Sequence, residues 1–165
     1  MLVGTVGGLV VIVLVAVTIL RAASTSANLN VSATVIRNCT ISTAAVSFGS
    51  YDPVVANATT DLDAAGTVTV ACTKGTTATI GLGLGQNASG RTRRMTAGVS
   101  DLLTYELYKD SGRASVWGNS GADLFDPGAA PSKAPRDFNV YGRVAAGQDI
   151  PAGAFTDIVV ATINF

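Results

Sequence analysis

Histidine is absent from the 165 residues of this chain. That removes the usual general base near neutral pH and the commonest metal ligand, and with them any Ser-His-Asp or Cys-His arrangement. Charge is scarce too: 11 basic and 11 acidic residues make up 13% of the sequence. A balanced, weakly charged chain exerts no long-range pull on nucleic acid or anionic lipid. Past the N-terminal apolar run, no stretch carries the apolar period of an amphipathic helix, and no repeat of a solenoid or propeller is visible. Cysteine occurs only at Cys39 and Cys72.

Gly, Ala, Ser, Thr and Val are abundant, and 48% of the residues are hydrophobic, too many for a disordered chain. They fall into short alternating runs. Asn28–Ile36 places Leu29, Val31, Ala33 and Val35 on one face and Asn30, Ser32 and Thr34 on the other, the period of two of an extended strand. A short run at Ala45–Phe48 follows, closed by Gly49 and Asp52-Pro53. In Thr67–Cys72, Val68, Val70 and Cys72 share a face; in Thr76–Leu84, Ala78, Ile80, Leu82 and Leu84 do. Lys74-Gly75 between these two runs suits a tight hairpin. Leu102–Lys109, Phe138–Val144 and Phe155–Phe165 complete the set, while residues 54–66, Gly85–Gly98 and the proline-bearing Gly121–Arg136 read as loops. Many short strands separated by turn signals specify an all-β sandwich or barrel.

Residues 2–20 are almost wholly apolar and end at Arg21, with small residues at Ala22–Ala27. This reads as a secretory leader over residues 1–27, cut near Ala27. The run is also long enough to span a bilayer and lacks a preceding basic residue, so an uncleaved anchor is the alternative. Either version places the domain outside the cytoplasm, where Cys39 and Cys72 would pair. Closing that loop of about 34 residues is worth ~3–4 kcal/mol in the chain-entropy account.

No catalytic set is present. Asp61 and Asp63 are too few to hold Ca²⁺. Gly81–Gly85 precedes no helix, so it reads as close sheet packing rather than a phosphate cradle. Arg91, Arg93 and Arg94 form a basic cluster without interleaved aromatics, a solvated loop rather than a nucleic-acid surface, with Asp101 and Glu106 as candidate partners. Asn30, Asn38, Asn57 and Asn87 each open an Asn-X-Ser/Thr triplet, uninformative in so polar a chain. Tyr105, Tyr108, Trp117 and Tyr141 read as core or rim packing in preference to a sugar platform. No cofactor or metal is implied.

The motifs Cys39, Val46–Asp52, Val68–Gly75, Arg94-Met95, Leu103–Asp110, Val140–Arg143 and Ala152–Asp157, in this order and spacing, resemble the spore coat protein U domain family, which includes the pilins of archaic chaperone–usher pili. The resemblance covers residues 28–165. It implies a secreted immunoglobulin-like β-sandwich lacking one strand, over residues 37–165, completed by a donor strand from a neighbouring subunit. It further implies a periplasmic chaperone, an outer-membrane usher and identical or related pilins as partners, no nucleic acid, and a place in a cell-surface pilus serving adhesion or biofilm formation. Mapped onto this chain, residues 28–36 are the donor extension, with Leu29, Val31, Ala33 and Val35 filling a neighbour's groove. Val159, Ala161, Ile163 and Phe165 of the last strand wall the acceptor groove, and Cys39 and Cys72 match the family's disulfide. The alternation of residues 28–36 taken alone points instead to pairing within its own sheet. The competing readings are a secreted, non-polymerising coat or envelope protein and a glycan-binding sandwich; an enzyme is the least fitting class.

N-terminal sequencing of the exported protein is expected to begin near Asn28. A mature chain that retains residues 1–27 would instead establish the membrane anchor.

Overall fold

A computed structural model describes Gly4, residues 19–98 and residues 100–165. Most of the expected leader, residues 1–27, therefore lies outside the described residues. The chain divides into two units, residues 1–34 and residues 35–165. The described residues of the first form no helix or strand and are exposed.

The second unit is built from seven strands: β1 (Cys39–Ala44), β2 (Leu62–Cys72), β3 (Thr79–Leu82), β4 (Arg93–Thr96), β5 (Leu102–Tyr108), β6 (Arg136–Val144) and β7 (Ala161–Asn164). The only helix among the described residues is a 3-10 turn at Gly121–Asp123. Five strands form one antiparallel sheet in the order β1-β2-β6-β5-β4, and β3 pairs with β7 in a second. An immunoglobulin constant-type sandwich has strands A, B, E and D in one sheet and C, F and G in the other. Here β1, β2, β6 and β5 take the A, B, E and D places, and β3 and β7 take C and F. No strand among the described residues takes the G place beside β7. The fold is an immunoglobulin-like β-sandwich with its last strand position unfilled.

The inward positions of β2 and β3 are those that alternation marks. Val68, Val70 and Cys72 of β2 are buried, as are Leu103, Tyr105 and Leu107 of β5, and Val140 and Val144 of β6. From the second sheet come Ile80 and Leu82. Trp117, fully buried between them, donates from Nε1 to the Ile80 carbonyl at 2.9 Å. Cys39 lies opposite Cys72 in the β1–β2 ladder, with Cα atoms 4.1 Å apart, and the two are joined by a disulfide.

The fully buried Arg93 guanidinium is the main polar tie between the sheets. From β4 it donates to the carbonyls of Leu82 (3.0 Å), Gly83 (2.9 Å) and Trp117 (2.8 Å), and it is ion-paired with Glu106 of β5. Leu82 ends β3, so this one side chain bonds the two-stranded sheet directly to the five-stranded one.

Five local expectations fail. Gly85–Gly98 is not all loop, because Arg93–Thr96 pairs with β5; the arginine looked solvated only because its counter-charge and carbonyl acceptors are remote in sequence. β2 begins at Leu62, inside the expected 54–66 loop, since Leu62–Gly66 pairs with Val144–Val140. Lys74-Gly75 does not close a hairpin: Gly75 turns with φ 81°, but β2 and β3 lie in different sheets. Ala45–Phe48 forms no strand, and only Ala161–Asn164 of the last run is paired in a regular ladder.

Arg93→Ala removes the tie and leaves three carbonyls and Glu106 without it. The expected loss is about 3–5 kcal/mol, read as a lower urea midpoint; a midpoint within error of the wild type would show that the tie is dispensable.

Candidate functional site: an open groove between the sheets

The unfilled strand position leaves a groove of about 950 Å³. Its floor is the apolar core, including Val68, Leu103, Leu107, Val140 and Val144. One wall is the segment after β1, Ala45–Tyr51, and the other runs from Ile150 to Val159 and on to Ala161. Among the described residues, Asp157 is the one charged residue in the lining.

Both walls have free backbone edges. Val46–Tyr51 makes no backbone–backbone hydrogen bond to any described residue, and neither does Asp157–Val159. The first wall is held by side chains instead. Val46 and Phe48 point down onto β2 and β6, where glycines make room. A Cβ on Gly142 would lie 2.7 Å from both Phe48 Cζ and Val46 Cγ1, and one on Gly66 would lie 2.8 Å from Val46 Cγ2. Phe48 meets the Tyr105 ring edge-on at 6.2 Å. At the end of this wall the Tyr51 hydroxyl donates to the Ala145 carbonyl (3.0 Å) and accepts from the Gln148 amide (2.9 Å).

The second wall is pinned at two points. Thr156 exchanges both backbone bonds with Thr96 of β4, at 2.9 and 3.0 Å, and the Val160 carbonyl accepts from Gly83 at 2.9 Å. Between the pins the Asp157 carboxylate accepts from the Tyr105 hydroxyl (2.6 Å), the Gln86 amide (2.9 Å) and Asn87 Nδ2 (3.1 Å). Burial, then the adjacent carboxylate, push the Tyr105 phenol far above its ordinary range, so it remains a donor.

Of the residues assigned to a groove wall, Val159 and Ala161 line the groove; Ile163 is half-buried against the core, and Phe165 is 54% exposed. Among residues assigned to the donor extension, Leu29, Val31 and Val35 are 87%, 86% and 82% exposed, Ala33 is exposed, and none belongs to a strand. The first wall and Asp157 went unassigned in the sequence. Gly142 inside the Phe138–Val144 strand pattern was the available signal for close approach; Gly66 fell in the expected loop.

The remaining chemistry is structural. Asp61 and Asp63 bind arginine: Asp63 lies 2.8 Å from Arg143 Nε and 3.1 Å from Arg113, and Asp61 lies 3.3 Å from Arg143. The Arg143 bond holds the Asp63 carboxyl below its usual range. No group of three metal-ligating side chains occurs among the described residues. Arg91 pairs with Asp123, Arg94 donates to the Asn87 carbonyl, and Arg93 is the buried tie. Trp117 and Tyr105 are buried in the core, and Asn57 is buried with its side chain bonded to Asp52 and Thr60.

The spore coat protein U domain family matches residues 25–162. "Protein U" of Myxococcus xanthus is 43% identical over 166 residues, covering 92% of this chain and 91% of that protein. The chain belongs to the spore coat protein U domain family. In fold it is similar to a chain in the crystal structure of the CsuC-CsuE chaperone-tip adhesion subunit pre-assembly complex from archaic chaperone-usher Csu pili of Acinetobacter baumannii. That likeness has a TM-score of 0.58 at 21% identity, over 80% of this chain and 41% of the other. In this spore coat protein U domain, the groove has an apolar floor and two edges with unpaired backbone.

Gly142→Ala tests how the first wall is seated. The added methyl must displace Phe48 or Val46, so stability is expected to fall by about 1–3 kcal/mol with loss of the Phe48–Tyr105 contact. Unchanged stability with that contact intact would contradict the close approach.

Proposed function

We propose that this protein is a structural subunit of an extracellular fibre of the chaperone–usher type, polymerised by donor-strand exchange. One observation carries the reading: the G-strand position of the sandwich is an open apolar groove bordered by two edges with unpaired backbone. Unpaired sheet edges are templates for another strand, and strand addition supplies main-chain bonds for affinity and alternate side-chain pockets for register. The donor is Asn28–Ile36 of another copy, whose Leu29, Val31 and Val35 stand exposed with polar residues between them.

Burying these three with Ala33 contributes about 5–8 kcal/mol, and each ladder bond adds about 1 kcal/mol net. Head-to-tail donation is heterologous, so it extends as an open filament. Before assembly the groove is an aggregation hazard, which accounts for a periplasmic chaperone that occupies it and an outer-membrane usher where the exchange takes place. Residues 1–27 serve as the export leader in this reading, and residues 37–165 as the acceptor domain. The family membership and the likeness in fold to the Csu complex support it.

The test is a variant lacking residues 28–36, exported alongside the wild type. It is expected to accept a donor strand and to donate none, so alone it yields no filaments by electron microscopy, and mixed in it shortens those of the wild type. Val31→Asp in the full chain is expected to block polymerisation in the same way. Normal filaments from either variant would overturn the donor assignment. Purely monomeric wild-type protein would favour the coat-protein reading that the family description suggests.

A further inference from the structure

Phe155, Asp157, Val159 and Ala161 alternate inward along the second groove wall, and Ile163 continues the row against the core, all half-buried. Four are apolar, and a carboxylate in that row needs a reason. Asp157 has three hydrogen-bond donors and no cationic partner among the described residues, and these donors come from two separate supports. Tyr105 stands on β5 in the groove floor. Gln86 and Asn87 belong to the loop after β3, which is itself held by the bond from Arg94 Nε of β4 to the Asn87 carbonyl at 2.8 Å. The loop is shaped around the carboxylate: Gly85 has φ 90°, and a Cβ there would lie 1.8 Å from Asp157 Oδ2.

The carboxylate sits at the start of a stretch of this wall that lacks backbone bonds between two points that have them. Thr156 and Val160 are pinned by Thr96 and Gly83, whereas Asp157–Val159 makes no backbone–backbone bond. In an empty groove nothing but side chains keeps that edge extended. We propose that Asp157, gripped by Tyr105, Gln86 and Asn87, is a positioning residue that holds the empty groove's second wall in strand geometry, so that an incoming strand meets a preformed edge. The proposal rests on the groove's being a strand acceptor and adds how it is kept ready. Once a strand is in place, its own ladder bonds hold the wall and the grip becomes redundant. Loss of the grip therefore acts on the empty state, lowering the fraction of molecules competent to bind.

The kinetic signature follows. Full-length chain, refolded at nanomolar concentration where head-to-tail association is slow, is mixed with a fluorescent synthetic peptide of the sequence Asn28–Ile36. Association and dissociation rates are read by anisotropy. Asp157→Ala is expected to slow association about tenfold, a fraction-competent effect, with dissociation unchanged. Tyr105→Phe, which deletes one donor and leaves the ring, is expected to do the same more weakly. Asp157→Asn, which keeps an acceptor for Gln86, is expected to restore most of the rate. Equal association rates for all variants, or a loss residing in faster dissociation, would overturn the positioning role while leaving the groove reading intact. If Asp157→Ala fails to fold, Tyr105→Phe and Asp157→Asn decide the matter by the same rates. A wild-type chain that captures no peptide would overturn the strand-acceptor reading and this proposal with it.

Discussion

The guanidinium of Arg93 bonds the second sheet to the first, and the groove depends on that bond. β3 and β7 make only a two-stranded sheet, and two strands are not stable alone in water. A third strand beside β7 would ordinarily widen that sheet. Here the sheet is steadied from its other side: Arg93 takes the carbonyls that end β3, and the Trp117 indole takes the Ile80 carbonyl. A buried charge is costly unless paired and fully bonded, and Arg93 meets both conditions, with Glu106 as counter-ion. The tie holds β3, β3 holds β7 through its ladder, and β7 continues the wall that borders the open position.

The two walls show the same solution to one problem. A backbone edge lacking a ladder must be held by something else if it is to stay extended. Val46 and Phe48 seat the first wall on the bare Cα atoms of Gly66 and Gly142, and Tyr51 anchors its end. The second has Asp157 between two backbone pins. In both cases the outward N–H and C=O groups are left free while the side chains below are fixed. That combination separates a vacancy in a fold from a loose edge.

Much of the fold was legible in period-two alternation, and the buried rows Val68–Val70–Cys72 and Ile80–Leu82 are where it indicated. The family motifs added the sandwich and the two cysteines. What stayed hidden depends on partners distant in sequence. Arg93 looks like a surface residue until Leu82, Gly83, Trp117 and Glu106 surround it. Lys74-Gly75 has hairpin chemistry, yet the chain crosses between sheets there. Ala45–Phe48 has the alternation of a strand but no neighbour among the described residues to make it one. Of the groove, the last run's apolar face was legible as far as Val159 and Ala161. Asp157 could have been singled out as the charged member of an inward row, but its donors lie 52 and about 70 residues away.

Chain reach bears on whether the N-terminal segment serves its own domain or another copy's. The Ile36 carbonyl and the Asn38 amide are both bonded to Thr73 Oγ1, each at 3.1 Å, next to the Cys39–Cys72 pair. The groove lining begins only at Thr43, four residues further along β1 and so roughly 13 Å away at the rise of a strand. Val35 immediately precedes the anchored Ile36, so it cannot enter the domain's own groove while that anchor holds. A neighbouring copy faces no such tether, so the anchored position of Ile36 supports the proposed exchange over pairing within the same domain.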